Sequence, residues 1–235
     1  MAVDQNDLKR AAAAKAVEYV SDGMKLGLGT GSTAEIFLEL LAARLRGGLN
    51  VIGTATSERT AEKARSLGIP LAALDELAPL DLTIDGADEA DRKLNLIKGA
   101  GGALLREKIV AASSRRMIVI ADKSKLVGKL GRFALPVEVL EFGQKTTVLR
   151  VTQALAALGY HNPSLLLRSR DGRTFVSDSG NLIYDCALGV IKSPAKLAAA
   201  LSAVPGVVEH GLFIDIATTL IIARPRGVDV IEKAK

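Results

Sequence analysis

Apolar positions along the first half of the chain alternate between two spacings. Ile36, Phe37, Leu40, Leu41 and Leu45 recur at three and four residues, the interval that lays an apolar stripe along a helix over residues 32–46. Shorter apolar runs at 24–28, 51–55, 71–74, 81–84, 95–97 and 117–121 suit strands buried in a sheet. Between them, helices are expected at 6–20 and at 58–67, the latter with Ser57 as N-cap and Gly68 as stop. A glycine turn at 99–102 opens another, which runs through residue 112. Helix and strand in alternation predict an α/β fold: an open, Rossmann-like, mainly parallel sheet with helices on both faces.

The rhythm changes after Gly131. A strand at 133–139, a helix at 147–158, strands at 164–168 and 182–185 and a helix at 194–203 follow, an order that predicts a smaller α+β, ferredoxin-like lid. The tail 211–223 has strand character and is expected back in the main sheet. Two units are expected: a Rossmann-like domain of residues 1–131 and 208–235, and a lid domain of residues 132–207.

With 235 residues, 49% of them hydrophobic, the chain can bury a core without disulfides or metal. Cys186 is the only cysteine, which excludes an internal disulfide and a multi-cysteine zinc site. Apolar runs such as 117–121 and 220–223 fall far short of the roughly 20 residues that cross a bilayer. The polar start, with Asp4, Asp7, Lys9 and Arg10, has no signal-peptide character. No membrane association and a cytoplasmic location are therefore expected. The net charge of +5 is spread along the chain, and aromatic residues make up only 3% with no Trp, whereas a nucleic-acid surface wants a basic stripe with aromatic platforms. An anionic small molecule is the better partner.

Four segments can carry chemistry. Gly27-Leu28-Gly29-Thr30-Gly31-Ser32-Thr33 lies between a strand and a helix, where helix N-terminal amides and the hydroxyls of Thr30, Ser32 and Thr33 can bind an oxyanion such as phosphate. Ala34 stands where a dinucleotide fingerprint needs its third glycine, and no Walker A lysine follows; a merely tight turn is the alternative. Asp85-Gly86-Ala87-Asp88-Glu89 gathers three carboxylates that repel one another, although a solvated acidic turn or a magnesium site would also explain them. After Lys98-Gly99-Ala100-Gly101-Gly102 comes a helix on which Glu107 shares a face with Ala103, Leu104, Val110 and Ala111. Such a carboxylate is either salt-bridged or desolvated, and desolvation raises its pKa toward the range of a general base.

Asp122-Lys123-Ser124-Lys125 again follows a strand. Thr30, Asp85, Lys98 and Lys125 are thus all expected at the C-terminal ends of strands in one sheet, where open α/β folds place ligands. His161 and His210 show no metal-ligand spacing with each other or with Cys186, and surface or structural roles are expected for both. Tyr184 and Phe213 are expected in the core.

On these motifs, in their order and spacing, the chain resembles the A-type ribose-5-phosphate isomerases over almost its whole length. Pro136-Val137-Glu138-Val139, Asp178-x-Gly180-Asn181 and Pro205-Gly206-Val207-Val208 resemble that family's lid landmarks. The resemblance implies an aldose-ketose isomerase of the non-oxidative pentose phosphate pathway, with ribose 5-phosphate and ribulose 5-phosphate as substrate and product. It implies Glu107 as the base that moves a proton between C2 and C1 through an enediol or enediolate, and Asp85 as an aid to ring opening. Asp88 would hold sugar hydroxyls, and Lys98 would stabilise developing negative charge. The implied substrate-binding set is Lys9, Thr30, Gly31, Ser32, Thr33, Asp85, Gly86, Ala87, Asp88, Lys98, Gly99, Ala100, Gly101 and Lys125. No metal and no cofactor are implied, and the assembly would be a homodimer or homotetramer. A non-catalytic phosphosugar sensor is the rival from another class, but a sensor has no need of Glu107. A lactonase or an amino-sugar phosphate isomerase is the rival among enzymes.

Overall fold

The computed structural model of the protein describes residues 4–233. Residues 1–3 and 234–235, which the sequence assigned to the first unit, lie outside the described residues.

The Asp4 side chain accepts the Asn6 N–H and starts α1 (Gln5–Val17). There follow β1 (Lys25–Leu28), α2 (Ser32–Arg46), β2 (Ile52–Ala55) and α3 (Glu58–Ser66), the last capped by Ser57 Oγ accepting the Thr60 N–H at 3.1 Å. After a single turn, α4 (Leu74–Leu77), come β3 (Leu82–Asp85), β4 (Glu89–Ala90), β5 (Leu96–Ile97), α5 (Leu104–Ala112) and β6 (Met117–Asp122), closed by a 3-10 turn at Lys123–Lys125. The second module holds β7 (Leu135–Val139), α6 (Gln144–Ala157), β8 (Ser164–Leu167), a small hairpin of β9 (Ser169–Arg170) and β10 (Arg173–Thr174), β11 (Leu182–Ala187), α7 (Pro194–Ser202) and β12 (Val207–His210). The chain ends through β13 (Leu212–Phe213), β14 (Thr219–Arg224) and β15 (Gly227–Glu232).

The central sheet runs β15-β14-β6-β3-β1-β2. Five of these strands are parallel, and β15 closes one edge antiparallel to β14. Because β2 lies on one side of β1 and β3 on the other, the winding reverses between β1 and β3. That reversal leaves a crevice past the carboxyl ends of these two strands. One face is covered by α1 and α2, with Phe37, Leu38 and Leu41 packed on Leu26, Leu28, Ile84 and Ile120. Each such burial contributes on the order of 2 kcal/mol. On the other face Met117, Val119, Leu220 and Ile222 pack with Ala111 of α5 and with Phe213.

In the second module the sheet order is β12-β7-β11-β8, antiparallel throughout, the ferredoxin-like arrangement the sequence order predicts. Val151, Leu155, Leu197 and Leu201 of α6 and α7 are buried against Val137, Val139, Leu182 and Cys186.

Two expectations are corrected. Residues 71–74 do not form a strand: Leu71 makes one bridge to Gly53, and the chain then turns into α4. Leu71, Leu74 and Leu77 are spaced by three, a helical interval, and Leu77 packs on Leu80 and Val110. Residues 95–97 do form a strand, yet β5 belongs to a separate three-stranded sheet, β13-β5-β4. Lys98 therefore follows a strand of a second sheet, and the four candidate segments do not extend from one.

Candidate active site

The cleft lies over the β1/β3 reversal and encloses about 240 Å³. Of the sequence-predicted residues, Lys9, Thr30, Gly31, Ser32, Thr33, Gly86, Ala87, Asp88, Lys98, Gly99, Ala100, Gly101, Glu107 and Lys125 line it. Asp85 does not. It sits beneath the floor at 0% exposure, so the expected direct contact with a substrate is replaced by contact with Lys98.

That contact defines the floor. Lys98 Nζ is 3.1 Å from Asp85 Oδ2 and 3.2 Å from Glu107 Oε1, and donates a 2.7 Å hydrogen bond to the Gly86 carbonyl. Asp85 Oδ1 accepts the amides of Thr30 at 3.1 Å and Gly86 at 2.7 Å. The Oδ2 contact is an ion pair without hydrogen-bond alignment. Glu107 is held on α5 among Leu104, Val110 and Ala111, all buried, and its Oε2 is buried with no partner among the described residues.

Burial and then the neighbouring Asp85 charge push the Glu107 carboxyl up to about 8, against the opposing pull of Lys98. Burial also raises Asp85, while Lys98 and the two amides oppose it. Because Glu107 lacks amide donors, it is the carboxyl of the pair that keeps a proton to the higher pH. Burial works against the Lys98 charge, yet Asp85, Glu107 and Asp88 together hold its pKa above the ordinary value. An ammonium already occupies the space between the carboxylates where a cation would bind.

Gly29 is required by this arrangement: a Cβ there would lie 2.3 Å from the Asp85 carboxyl carbon. The turn it begins leads into α2, which has no side-chain cap, so the first amides of the helix face the cleft. Lys9 Nζ donates to Ser32 Oγ at 3.0 Å. Thr30 departs from expectation, because its hydroxyl points inward to Thr56, Ser57 and Thr60, at 2.7, 2.8 and 3.0 Å. It braces the turn, leaving Ser32 and Thr33 as the hydroxyl donors. Sequence reading missed this buried hydroxyl cluster, because Thr56 and Thr60 flank the site only after β1 and β2 pair.

Gln5 was also missed. It lines the cleft and donates to Asp122 Oδ2 at 3.3 Å; its position one helical turn before Lys9 was the available signal. The acidic motif divides its labour. Asp88 Oδ2 accepts the Ala100 amide at 2.8 Å at the cleft. Glu89 turns away, and its buried carboxylate accepts the amides of Gly131 at 2.7 Å and Phe133 at 2.8 Å where the chain enters the second module.

His161 is exposed, and His210 is buried with Nε2 near Ser202 Oγ and the Ala198 carbonyl. Burial, then the nearby Lys108 charge, pushes the His210 imidazole down to about 4. Phe213 is fully buried, and Tyr184 is half-buried with its hydroxyl donating to Gln144. A larger hollow of about 610 Å³ lies in the second module beside α7. No carboxylate lines it, so size does not decide the site.

A family model described as ribose 5-phosphate isomerase A (phosphoriboisomerase A) matches residues 52–227. The chain belongs to the ribose 5-phosphate isomerase A family. Among its relatives, a ribose-5-phosphate isomerase A from Rhodopseudomonas palustris (strain BisB18) is 56% identical over 231 residues, covering 98% of this chain and all of the relative. One from Parvibaculum lavamentivorans is 54% identical, covering 98% of this chain and 100% of the relative. A solved ribose 5-phosphate isomerase from Plasmodium falciparum superposes with a TM-score of 0.93 at 39% identity, covering 98% and 100% of the two chains. A solved D-ribose-5-phosphate isomerase in complex with phospho-erythronic acid gives 0.90 at 35% identity, with the same coverage. Both modules of this ribose 5-phosphate isomerase A member fall within these matches.

Proposed function

We propose that this chain interconverts D-ribose 5-phosphate and D-ribulose 5-phosphate in the non-oxidative pentose phosphate pathway, with Glu107 carrying a proton between C2 and C1. The observation that carries this reading is the placement of Glu107. Its unpartnered Oε2 stands in a desolvated floor of the same cleft that the hydroxyl-rich α2 turn lines. The sugar phosphate, of about −1.5 to −2 charge, is taken by the amides of residues 31–33 and the hydroxyls of Ser32 and Thr33, with Lys9 and Lys125 supplying cations. Ionised Glu107 removes the C2 proton and returns it to C1, while the O2 hydroxyl proton passes to O1, so that the carbonyl moves from C1 to C2. Negative charge that develops on the carbonyl oxygen faces Lys98, whose attraction is large in a site shielded from water. Asp85 acts through Lys98 by fixing its position and charge, and Asp88 holds a sugar hydroxyl with the oxygen that the Ala100 amide leaves free.

No metal is needed, because the same carboxylate takes and gives the proton and Lys98 supplies the positive charge. The ribose 5-phosphate in the family's name and the pairing of Lys98 with Glu107 on the floor favour this reading over lactone hydrolysis. The working unit joins the Rossmann-like body to a lid that begins after Gly131; the expected end of the lid at residue 207 moves to His210, because β12 pairs with β7 in the lid's own sheet, and Glu89 anchors the entry crossing. We take the protein to act in the cytoplasm as a homodimer or homotetramer; a light-scattering mass equal to that of one chain would contradict the assembly. The test is conversion of ribose 5-phosphate by the pure chain in excess chelator, followed in heavy water. Ribulose 5-phosphate should form, with solvent deuterium at C1 only to the extent that Glu107 exchanges its proton before returning it. Activity that vanishes on chelation and returns with a divalent ion would overturn the mechanism.

A further inference from the structure

The turn that carries Lys98 is gripped from above by the second module. Arg168, at the end of β8, sits with its side chain 11% exposed and forms a two-pronged pair with Asp185 of β11: Nε donates to Oδ2 at 2.9 Å and Nη2 donates to Oδ1. This geometry fixes the plane of the guanidinium. The remaining prong, Nη1, donates to the Gly99 carbonyl at 2.6 Å and reaches the Ala100 carbonyl at 3.4 Å. The Phe175 ring, 5.9 Å from the same guanidinium, fills the space above Gly102, where a Cβ would lie 2.3 Å from the ring.

Peptide groups are planar and trans, so a carbonyl drawn one way sends the following amide the other way. With the Gly99 carbonyl held by Arg168, the Ala100 amide is aimed at Asp88 Oδ2, the 2.8 Å bond seen at the cleft. With the Ala100 carbonyl turned to the same side, the Gly101 amide is directed toward the cleft that Gly101 lines. Two site groups thus take their orientation from an arginine that does not line the cleft.

We propose that Arg168, locked by Asp185, is a positioning residue for the isomerisation: it sets the Gly99–Gly101 peptides, and through them the Asp88 carboxylate, against the sugar end of the substrate. The proposal rests on the isomerase reading above. A lysine at this position cannot hold Asp185 with two prongs and Gly99 with a third, so charge alone does not replace it.

The experiment compares Arg168→Met, Arg168→Lys and Asp185→Asn with the unaltered chain, measuring kcat, KM and competitive inhibition by inorganic phosphate. Misplacement of the turn should lower kcat/KM by roughly 10- to 100-fold in Arg168→Met. Arg168→Lys and Asp185→Asn should fall between it and the parent, so a poorly folding Met variant leaves the test intact. Phosphate inhibition should stay within about twofold, because the anion end of the cleft is built by α2. In an Asp88→Asn background the Arg168→Met loss should shrink to a few-fold, since both act through the same turn. A parent-like kcat/KM in all three variants, full additivity with Asp88→Asn, or an equal loss of phosphate affinity would overturn the proposal. Absence of turnover in the unaltered chain would overturn the isomerase reading itself.

Discussion

The proposed mechanism rests on a single side chain, Glu107, and the cost of its burial should be measurable. In the folded chain it keeps its proton up to about pH 8, whereas its ordinary value is 4.5. Between those limits the folded state binds more protons than the unfolded one, so this residue lowers stability as pH rises. Glu107→Gln removes that slope. We predict that the variant melts above the parent at pH 8.5, with the difference fading toward pH 4.5, while turnover falls at least 10²-fold, about 2.7 kcal/mol. Calorimetry and a coupled assay check both halves, and a parent-like turnover would remove Glu107 from its role. For the parent, kcat/KM should climb with pH, pass half its plateau near 8 and level off above that, since the free enzyme must lose the Glu107 proton to act as a base. The sequence disclosed this residue through its apolar helix face. The hydroxyl of Thr30 was misjudged because its partners Thr56 and Thr60 come from a different strand-helix unit.

At the scale of elements, the β1–α2 turn and the end of β3 are shaped for each other. Gly29 is where they touch, with the Asp85 backbone Cα only 2.5 Å from a would-be Cβ. Backbone cannot swing aside as a flexible side chain can. Gly29→Ala should therefore displace Asp85, destabilise the fold by about 1–3 kcal/mol and cut kcat/KM at least roughly 10-fold by moving Lys98; urea unfolding and steady-state kinetics check the two effects. The glycine-rich turn was plain in the sequence as a strand-to-helix junction. The reason for this particular glycine was not, because Asp85 lies far along the chain. The same blindness explains β5: its apolar residues announce a strand, but strand pairing is a long-range choice. It pairs with β4 and β13 away from the main sheet.

Across the whole molecule, Glu89 joins the two modules. It is fully buried and accepts two amides at the crossing, Gly131 and Phe133. Glu89→Ala would strand both donors, at about 1–3 kcal/mol each. We predict a drop in melting temperature of several degrees, with KM raised more than kcat is lowered as the lid loosens. An unchanged melting temperature would mean that the crossing is held by other contacts.

The sequence alone established that helices and strands alternate, that a second module follows Gly131, and which motifs are candidates to line the cleft, because those properties depend on neighbours a few residues apart. Only the tertiary structure decided that Asp85 and Glu107 share one ammonium, that Glu89 faces the lid, and that Arg168 holds the Lys98 turn. Those are meetings of residues from 9 to 69 positions apart in the chain. Their geometry and desolvation exist only after the sheets have paired and water has been excluded between them.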